Sequence, residues 1–178
     1  VMVAFNGRDL KVLVVEDNEH FRLLIKTVLK ALGINRVTEA EDGSDAWERL
    51  CAEGADLVIA DWKMEPMDGI AFVRAIRRDE GSPVPYVPII MITGYVDGEV
   101  VAKARDVGVN EFLAKPISAR TLMARIVTVL QKPRPFVRSK SYFGPDRRRK
   151  QMPFQGQDRR RARPEESLEA VAPREDTR

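Results

Sequence analysis

Five short apolar runs, each followed at once by a polar or charged residue, constrain this chain more than any other feature. They are "KVLVV" (11–15), the weaker "RVTEA" (36–40), "DLVIA" (56–60), "PIIMI" (88–92) and "EFLA" (111–114). Runs this short and this continuously apolar mark strands buried on both faces. The segments between them carry helical spacing. In "EHFRLLIKTVLKALG", Phe21, Leu24, Ile25, Val28, Leu29 and Leu32 recur at 3-1-3-1-3 intervals and Gly33 supplies the stop. "SDAWERLCAEG", "GIAFVRAIRRDEG", "GEVVAKARDVG" and "SARTLMARIVTVLQK" read as four more helices. Strands alternating with helices in this way predict an α/β fold with a parallel five-stranded sheet covered on both faces.

In open parallel sheets, functional groups gather beyond the carboxyl ends of the strands. That rule selects Glu16 and Asp17 after the first strand, Asp61 after the third, Thr93 after the fourth, and Lys115 with Pro116 after the fifth. Three carboxylates converging on one edge repel each other unless a cation lies among them. Mg²⁺ suits such a site, because it takes oxygen ligands and keeps positions open for a phosphoryl oxygen. An ammonium and a hydroxyl close by can contact the remaining phosphoryl oxygens, so the set suggests phosphoryl transfer onto a carboxylate. Taken singly, each residue has a plainer counterpart: an acidic pair starts helices and a threonine caps strand ends. The conjunction after four different strands carries the functional reading.

In order and spacing, "VLVVEDN", "ADWKMEPMDG", "MITG" and "LAKP" resemble the CheY-like receiver domain of two-component response regulators over about residues 9–132. The resemblance implies a flavodoxin-like (βα)5 doubly wound sheet with strand order 2-1-3-4-5. It implies Asp61 as phosphoacceptor, and Mg²⁺ held by Asp17, Asp61 and the backbone carbonyl of Lys63, with Glu16 acting directly or through water. Thr93 matches the switch hydroxyl, Lys115 the phosphoryl-pairing lysine, and Phe112 the switch aromatic position; the bond to Pro116 is cis in the family. Lys63, two residues past the acceptor, and Tyr95, two residues past Thr93, stand at positions that tune phosphoryl lifetime, which suggests slow self-dephosphorylation. Gly94 fits a place where bulk would crowd the phosphoryl group. The proline-rich "DEGSPVPYVP" before the fourth strand reads as a spacer without assigned function.

Composition changes at Pro133. Before it, 17 Lys+Arg face 20 Asp+Glu; from it onward, 13 face 7. Residues 133–178 form a basic, Arg-rich tail that the sequence predicts to be mostly disordered, without the second apolar core or helix-turn-helix of a transcriptional output domain. The tail repeats at a period of twelve: "YFGPDRRR" (142–149) and "FQGQDRRR" (154–161). Arg147, Arg148, Arg149, Arg159, Arg160 and Arg161 are its candidate contact residues. Three readings stay open for it: a solvated extension, a dock for an acidic protein surface, or a sequence-independent nucleic-acid contact with aromatics stacking on bases.

The single Cys51 excludes an internal disulfide and reads as a reduced, buried thiol, and the single His20 as a solvated residue of a first helical turn. No apolar run has membrane-spanning length and no secretory leader is evident, so a cytoplasmic protein without membrane contact is expected. The expected function is a single-domain, phosphorylation-dependent switch. It would be charged by a sensor histidine kinase or phosphotransfer protein and act on a downstream protein, as a monomer or a phosphorylation-dependent dimer. It is not expected to be an enzyme beyond its own phosphorylation and dephosphorylation. The rivals are a nucleic-acid-binding regulator acting through the tail and an aspartyl-phosphate phosphohydrolase. The latter lacks the second carboxylate such enzymes place close after the nucleophile; Lys63 occupies that position.

Overall fold

The computed structural model describes residues 7–78, 80–94, 98–147 and the backbone of 169–171. Its strands fall on the apolar runs: β1 (Lys11–Val15), β2 (Arg36–Ala40), β3 (Leu57–Asp61), β4 (Ile89–Thr93) and β5 (Glu111–Ala114). They form one parallel sheet in the order β2-β1-β3-β4-β5. Between and after them run α1 (Glu19–Ala31), α2 (Gly43–Glu53), α3 (Gly69–Arg78), α4 (Gly98–Val107) and α5 (Ala119–Gln131).

Strand alternation sends side chains to two separate cores. Leu13, Val15, Val58, Ala60, Ile89 and Met91 pack against Leu50, Phe72 and Ile76 on one face. Val12, Val14, Leu57, Ile59, Ile90 and Ile92 pack against Ile25, Leu29, Leu122 and Ile126 on the other. Each fully buried aliphatic side chain contributes roughly 1.5–3 kcal/mol, so the sheet is a rigid platform for whatever its edge carries. Local signals set the helix ends. The Asn18 side chain accepts the N–H of Phe21 at 2.9 Å, Asp42 accepts those of Ser44 and Asp45, and Ser118 and Thr121 form a capping box.

Two helices depart from the sequence expectation. Cys51 of α2 is exposed rather than buried, because Ala46 and Leu50 form the buried line of that helix and the thiol lies one residue round from it. On α1 the buried face is rotated from the apolar stripe: Leu24 is 44% exposed, whereas Arg22 is only 8% exposed. The Arg22 guanidinium turns inward because it has acceptors there, the Glu16 carbonyl at 2.6 Å and the Glu41 carboxylate at 3.3 Å. His20 is exposed, as expected.

Past Pro133 the chain continues as an arm packed on the domain. β6 (Phe136–Arg138) and β7 (Phe143–Pro145) form an antiparallel hairpin, with β8 (Glu169–Val171) on the other edge of β6. Phe136 and Phe143 close an aromatic cluster with Tyr86, both ring centroids lying 5.2 Å from the tyrosine ring. Tyr86 belongs to the proline-rich segment before β4, which therefore has a structural role: it seats the arm. Beneath the cluster, Arg77 of α3 is 3% exposed. It donates to the carbonyls of Gly108, Pro85 and Val87 and to the Asn110 side chain, at 2.7–3.1 Å, and lies under the Phe136 ring. Burial draws its pKa down to about 9, still above neutral pH, and the four acceptors replace the water it has lost. Gly144 approaches Gly108 so closely that a Cβ on it would meet the Gly108 Cα at 2.9 Å. Residues 133–147, assigned to the tail by composition, are thus part of the packed structure. Arg148, Arg149, Arg159, Arg160 and Arg161 lie outside the described residues.

Candidate functional site

The acidic groups singled out in the sequence meet at the carboxyl edge of the sheet. Asp61 is the last residue of β3 and pairs in register with Ile92, so its side chain leaves a rigid, buried strand. Its Oδ1 accepts the Trp62 N–H at 2.8 Å, and its Oδ2 lies 3.1 Å from Lys115 Nζ. Glu16, which follows β1, is buried; its Oε2 accepts from Lys115 Nζ at 3.0 Å and its Oε1 from the Asn18 N–H at 3.4 Å. Asp17 is exposed, and carboxylate oxygens of Glu16, Asp17 and Asp61 all lie within 4.8 Å of one another. The ammonium of Lys115 bridges two of the three, and the ring of Phe21 supports it from 4.2 Å. Lys115 is placed there by its backbone N–H, which bonds the carbonyl of Thr93 at 2.8 Å as β5 ends beside β4. Thr93 is buried at the same edge and Phe112 is half-buried. The Lys115–Pro116 bond is cis, as the resemblance implied, and so is Glu65–Pro66.

Burial dominates the electrostatics. Desolvation pushes Glu16 up to about 7, with Lys115 opposing the rise. Asp61 is raised for the same reason, again against the pull of Lys115. Burial works against the Lys115 ammonium too, but its bonds to Glu16 and Asp61 prevail and hold its pKa above the usual lysine value. Three carboxylates against one ammonium leave negative charge in excess. An all-oxygen donor set with two buried members and one open to solvent fits a hard divalent cation that retains waters.

Some contributors escape a sequence reading. Phe21 and Arg22 both support the site, yet they read as a core residue and a surface residue of an amphipathic helix. Gly69 is the clearest case: its N–H bonds the Trp62 carbonyl at 3.0 Å, and a Cβ there would lie 2.0 Å from the Asp61 carbonyl oxygen. Only glycine lets α3 start against the end of β3. Lys63 lies on the exposed turn after β3, Gly94 is exposed beside Thr93 with open space at its Cα, and Tyr95 lies outside the described residues.

Fold and site together define a class, and comparison with known proteins agrees. Residues 12–127 match the family described as "Response regulator receiver domain". The chain belongs to this family, whose members act as phosphorylation-dependent signalling domains. It is 34% identical over 131 residues to the chemotaxis protein CheY-3 of Vibrio cholerae, an alignment covering 74% of this chain and 99% of that protein. It is 32% identical over 123 residues to the chemotaxis protein CheY of Pseudomonas aeruginosa, covering 69% and 98%. Among solved structures, V. cholerae CheY4 crystallised at low pH superposes with a TM-score of 0.63 at 30% identity, over 68% of this chain and 98% of that one. The arm and everything after it lie beyond residues 12–127, the extent of the family match. Among the described residues, no helix is long and apolar enough to cross a membrane.

Proposed function

We infer that this chain is a cytoplasmic switch in which Asp61 accepts a phosphoryl group from the phosphohistidine of a sensor kinase or phosphotransfer protein. The phosphorylated domain then signals through altered binding to a downstream protein. One observation carries the reading: a buried strand-end carboxylate faces a lysine at 3.1 Å inside a cluster of three acids. A carboxylate oxygen of Asp61 forms the new O–P bond as the P–N bond to the donor imidazole breaks, and the released ring nitrogen takes a proton. Mg²⁺ held by Glu16, Asp17, Asp61 and the Lys63 carbonyl would neutralise charge on the phosphoryl oxygens. Lys115, already on Asp61, stabilises the anionic phosphoryl group, and Thr93 offers its hydroxyl to another of its oxygens. Phe112, three residues before Lys115, couples the event to the face made by α4, β5 and α5. The biological outcome is a bound partner rather than turnover of a substrate.

The test is incubation of the full chain with a small phosphoramidate donor and Mg²⁺. The expected result is a gain of one phosphoryl group in the intact mass that hydroxylamine or base removes, as an acyl phosphate requires, and that is absent with chelator and in Asp61→Asn. Absence of the gain in the unmodified chain would overturn the reading. Lys63 and Tyr95 set the lifetime of that group by shielding it from water. The half-life should shorten in Lys63→Asn and in Tyr95→Glu, measured by loss of the mass increment; unchanged decay in both contradicts the shielding.

A further inference from the structure

A cavity of about 450 Å³ opens between α4, β5, α5 and the arm. Its lining has two chemistries. Phe112, Val101 and Val109 give an apolar floor, while Arg105 of α4, Arg125 of α5, and Arg134 and Arg147 of the arm bring four guanidinium groups to its walls. The single carboxylate in the lining, Glu111, is buried and lies 3.5 Å from Arg125. Asp106 lies beside the lining, 4.0 Å from Arg105 and 3.0 Å from Arg147, so four guanidinium groups face two carboxylates and positive charge remains in excess.

The two arm arginines that line the cavity are held rather than dangling. Arg134 bonds the carbonyl of Asn110, and the carbonyl of Asp146 at 3.1 Å. Arg147 pairs with Asp106 at 3.0 Å and its guanidinium sits 4.0 Å from the centre of the Tyr142 ring. Two of the four cations are thus supplied by a segment outside the family match, positioned by the hairpin. The first copy of the twelve-residue repeat acquires a role in this way, since Tyr142, Phe143 and Gly144 dock it and Arg147 reaches the cavity.

We propose that this cavity is the binding site for an acidic, apolar-containing segment of the downstream partner protein, with the arm as half of the site. The proposal rests on the reading that the α4–β5–α5 face delivers the output. Charge complementarity names the occupant: guanidinium groups pair bidentately with carboxylates, and the apolar floor asks for an aliphatic or aromatic anchor between them. Nucleic acid fits less well. Tyr142 and Phe143, the aromatics of the first repeat, are buried in the arm's own packing and unavailable to stack on bases, and Glu111 would face a phosphodiester. Because Phe112 lies both in the floor and beside the core under β4, a change at Thr93 and Lys115 reaches the cavity through a residue already in it.

The test uses the full chain and three fluorescein-labelled probes: a short peptide of glutamate and leucine, its glutamine counterpart, and a single-stranded DNA oligonucleotide. Binding is measured by anisotropy at about 0.15 M salt, where non-specific surface attraction is largely screened. The glutamate peptide should bind, the glutamine peptide should not, and amide resonance shifts should concentrate on Arg105, Phe112, Arg134 and Arg147. Arg105→Gln should weaken binding about tenfold, the loss of one charged contact of roughly 1.4 kcal/mol. Arg105 belongs to α4, so this variant leaves the arm's own anchors intact. Arg147→Gln should act in the same direction, while Arg49→Gln on α2, away from the cavity, should change nothing. No binding of the glutamate peptide, binding insensitive to both cavity variants, or tighter binding of the oligonucleotide at the same residues would overturn the proposal. Phosphorylation of Asp61 is read in parallel samples given the phosphoramidate donor and Mg²⁺: peptide binding with no Asp61 modification in those samples would sink the switch and leave the cavity standing, and the converse would do the reverse.

Discussion

At the scale of single residues, the site is governed by the tension between burial and charge. Glu16 keeps its proton up to about pH 7 in the folded domain, against an ordinary value of 4.5 in an open chain. The folded state therefore binds more protons than the unfolded one between those values, and metal-free protein loses stability as pH rises from about 4.5 to about 7. Asp61, also raised by burial, acts in the same sense. Thermal melting in chelator should thus occur at a lower temperature at about pH 8 than at about pH 5. Mg²⁺ should reverse the difference and Glu16→Gln should flatten it; melting independent of pH and of Mg²⁺ contradicts the assignment. Gly69 is constrained by shape alone. Gly69→Ala forces a Cβ into the Asp61 carbonyl oxygen, with only 2.0 Å available, and should cost about 1–3 kcal/mol while displacing Asp61. The expected readout is lower stability to urea together with slower phosphorylation; wild-type values for both would contradict the contact.

At the scale of elements, Arg77 is the group that ties α3, the segment before β4, the α4–β5 connection and the arm to one point. Arg77→Met fills much of the volume but leaves carbonyls without donors, and should destabilise the domain by about 3 kcal/mol. Hydrogen exchange at Phe136–Arg138 should quicken with it, and unchanged protection there would separate the arm from this anchor. The five strands and five helices were legible in the sequence because long-range packing and local pattern agree: each buried strand is an apolar run, and α1, α2 and α5 each join an apolar stripe to an N-cap. Arg22 and Leu24 were not, since their exchange of places depends on acceptors at Glu16 and Glu41 that only the folded sheet edge brings near. The hairpin was also hidden. Its strands are three residues each among prolines, glycine and arginines, too short to show a period, and its aromatic partner Tyr86 lies far upstream in a segment that reads as a spacer.

At the scale of the whole molecule, the carboxyl edge of the sheet carries excess negative charge, and the side built from α4, β5, α5 and the arm carries excess positive charge. The acidic site was legible residue by residue, because Glu16, Asp17, Asp61, Thr93 and Lys115 each follow or end an apolar run. The basic cavity was not, because Arg105, Arg125, Arg134 and Arg147 are scattered in sequence and meet only when the arm folds back. The claim on which the account turns is that Asp61 receives the phosphoryl group. Reductive trapping with borohydride, which converts an aspartyl phosphate to homoserine, followed by peptide mass mapping tests it most directly. The account predicts conversion at Asp61, dependent on Mg²⁺. Conversion at another carboxylate, or none in protein treated with donor and Mg²⁺, would contradict it.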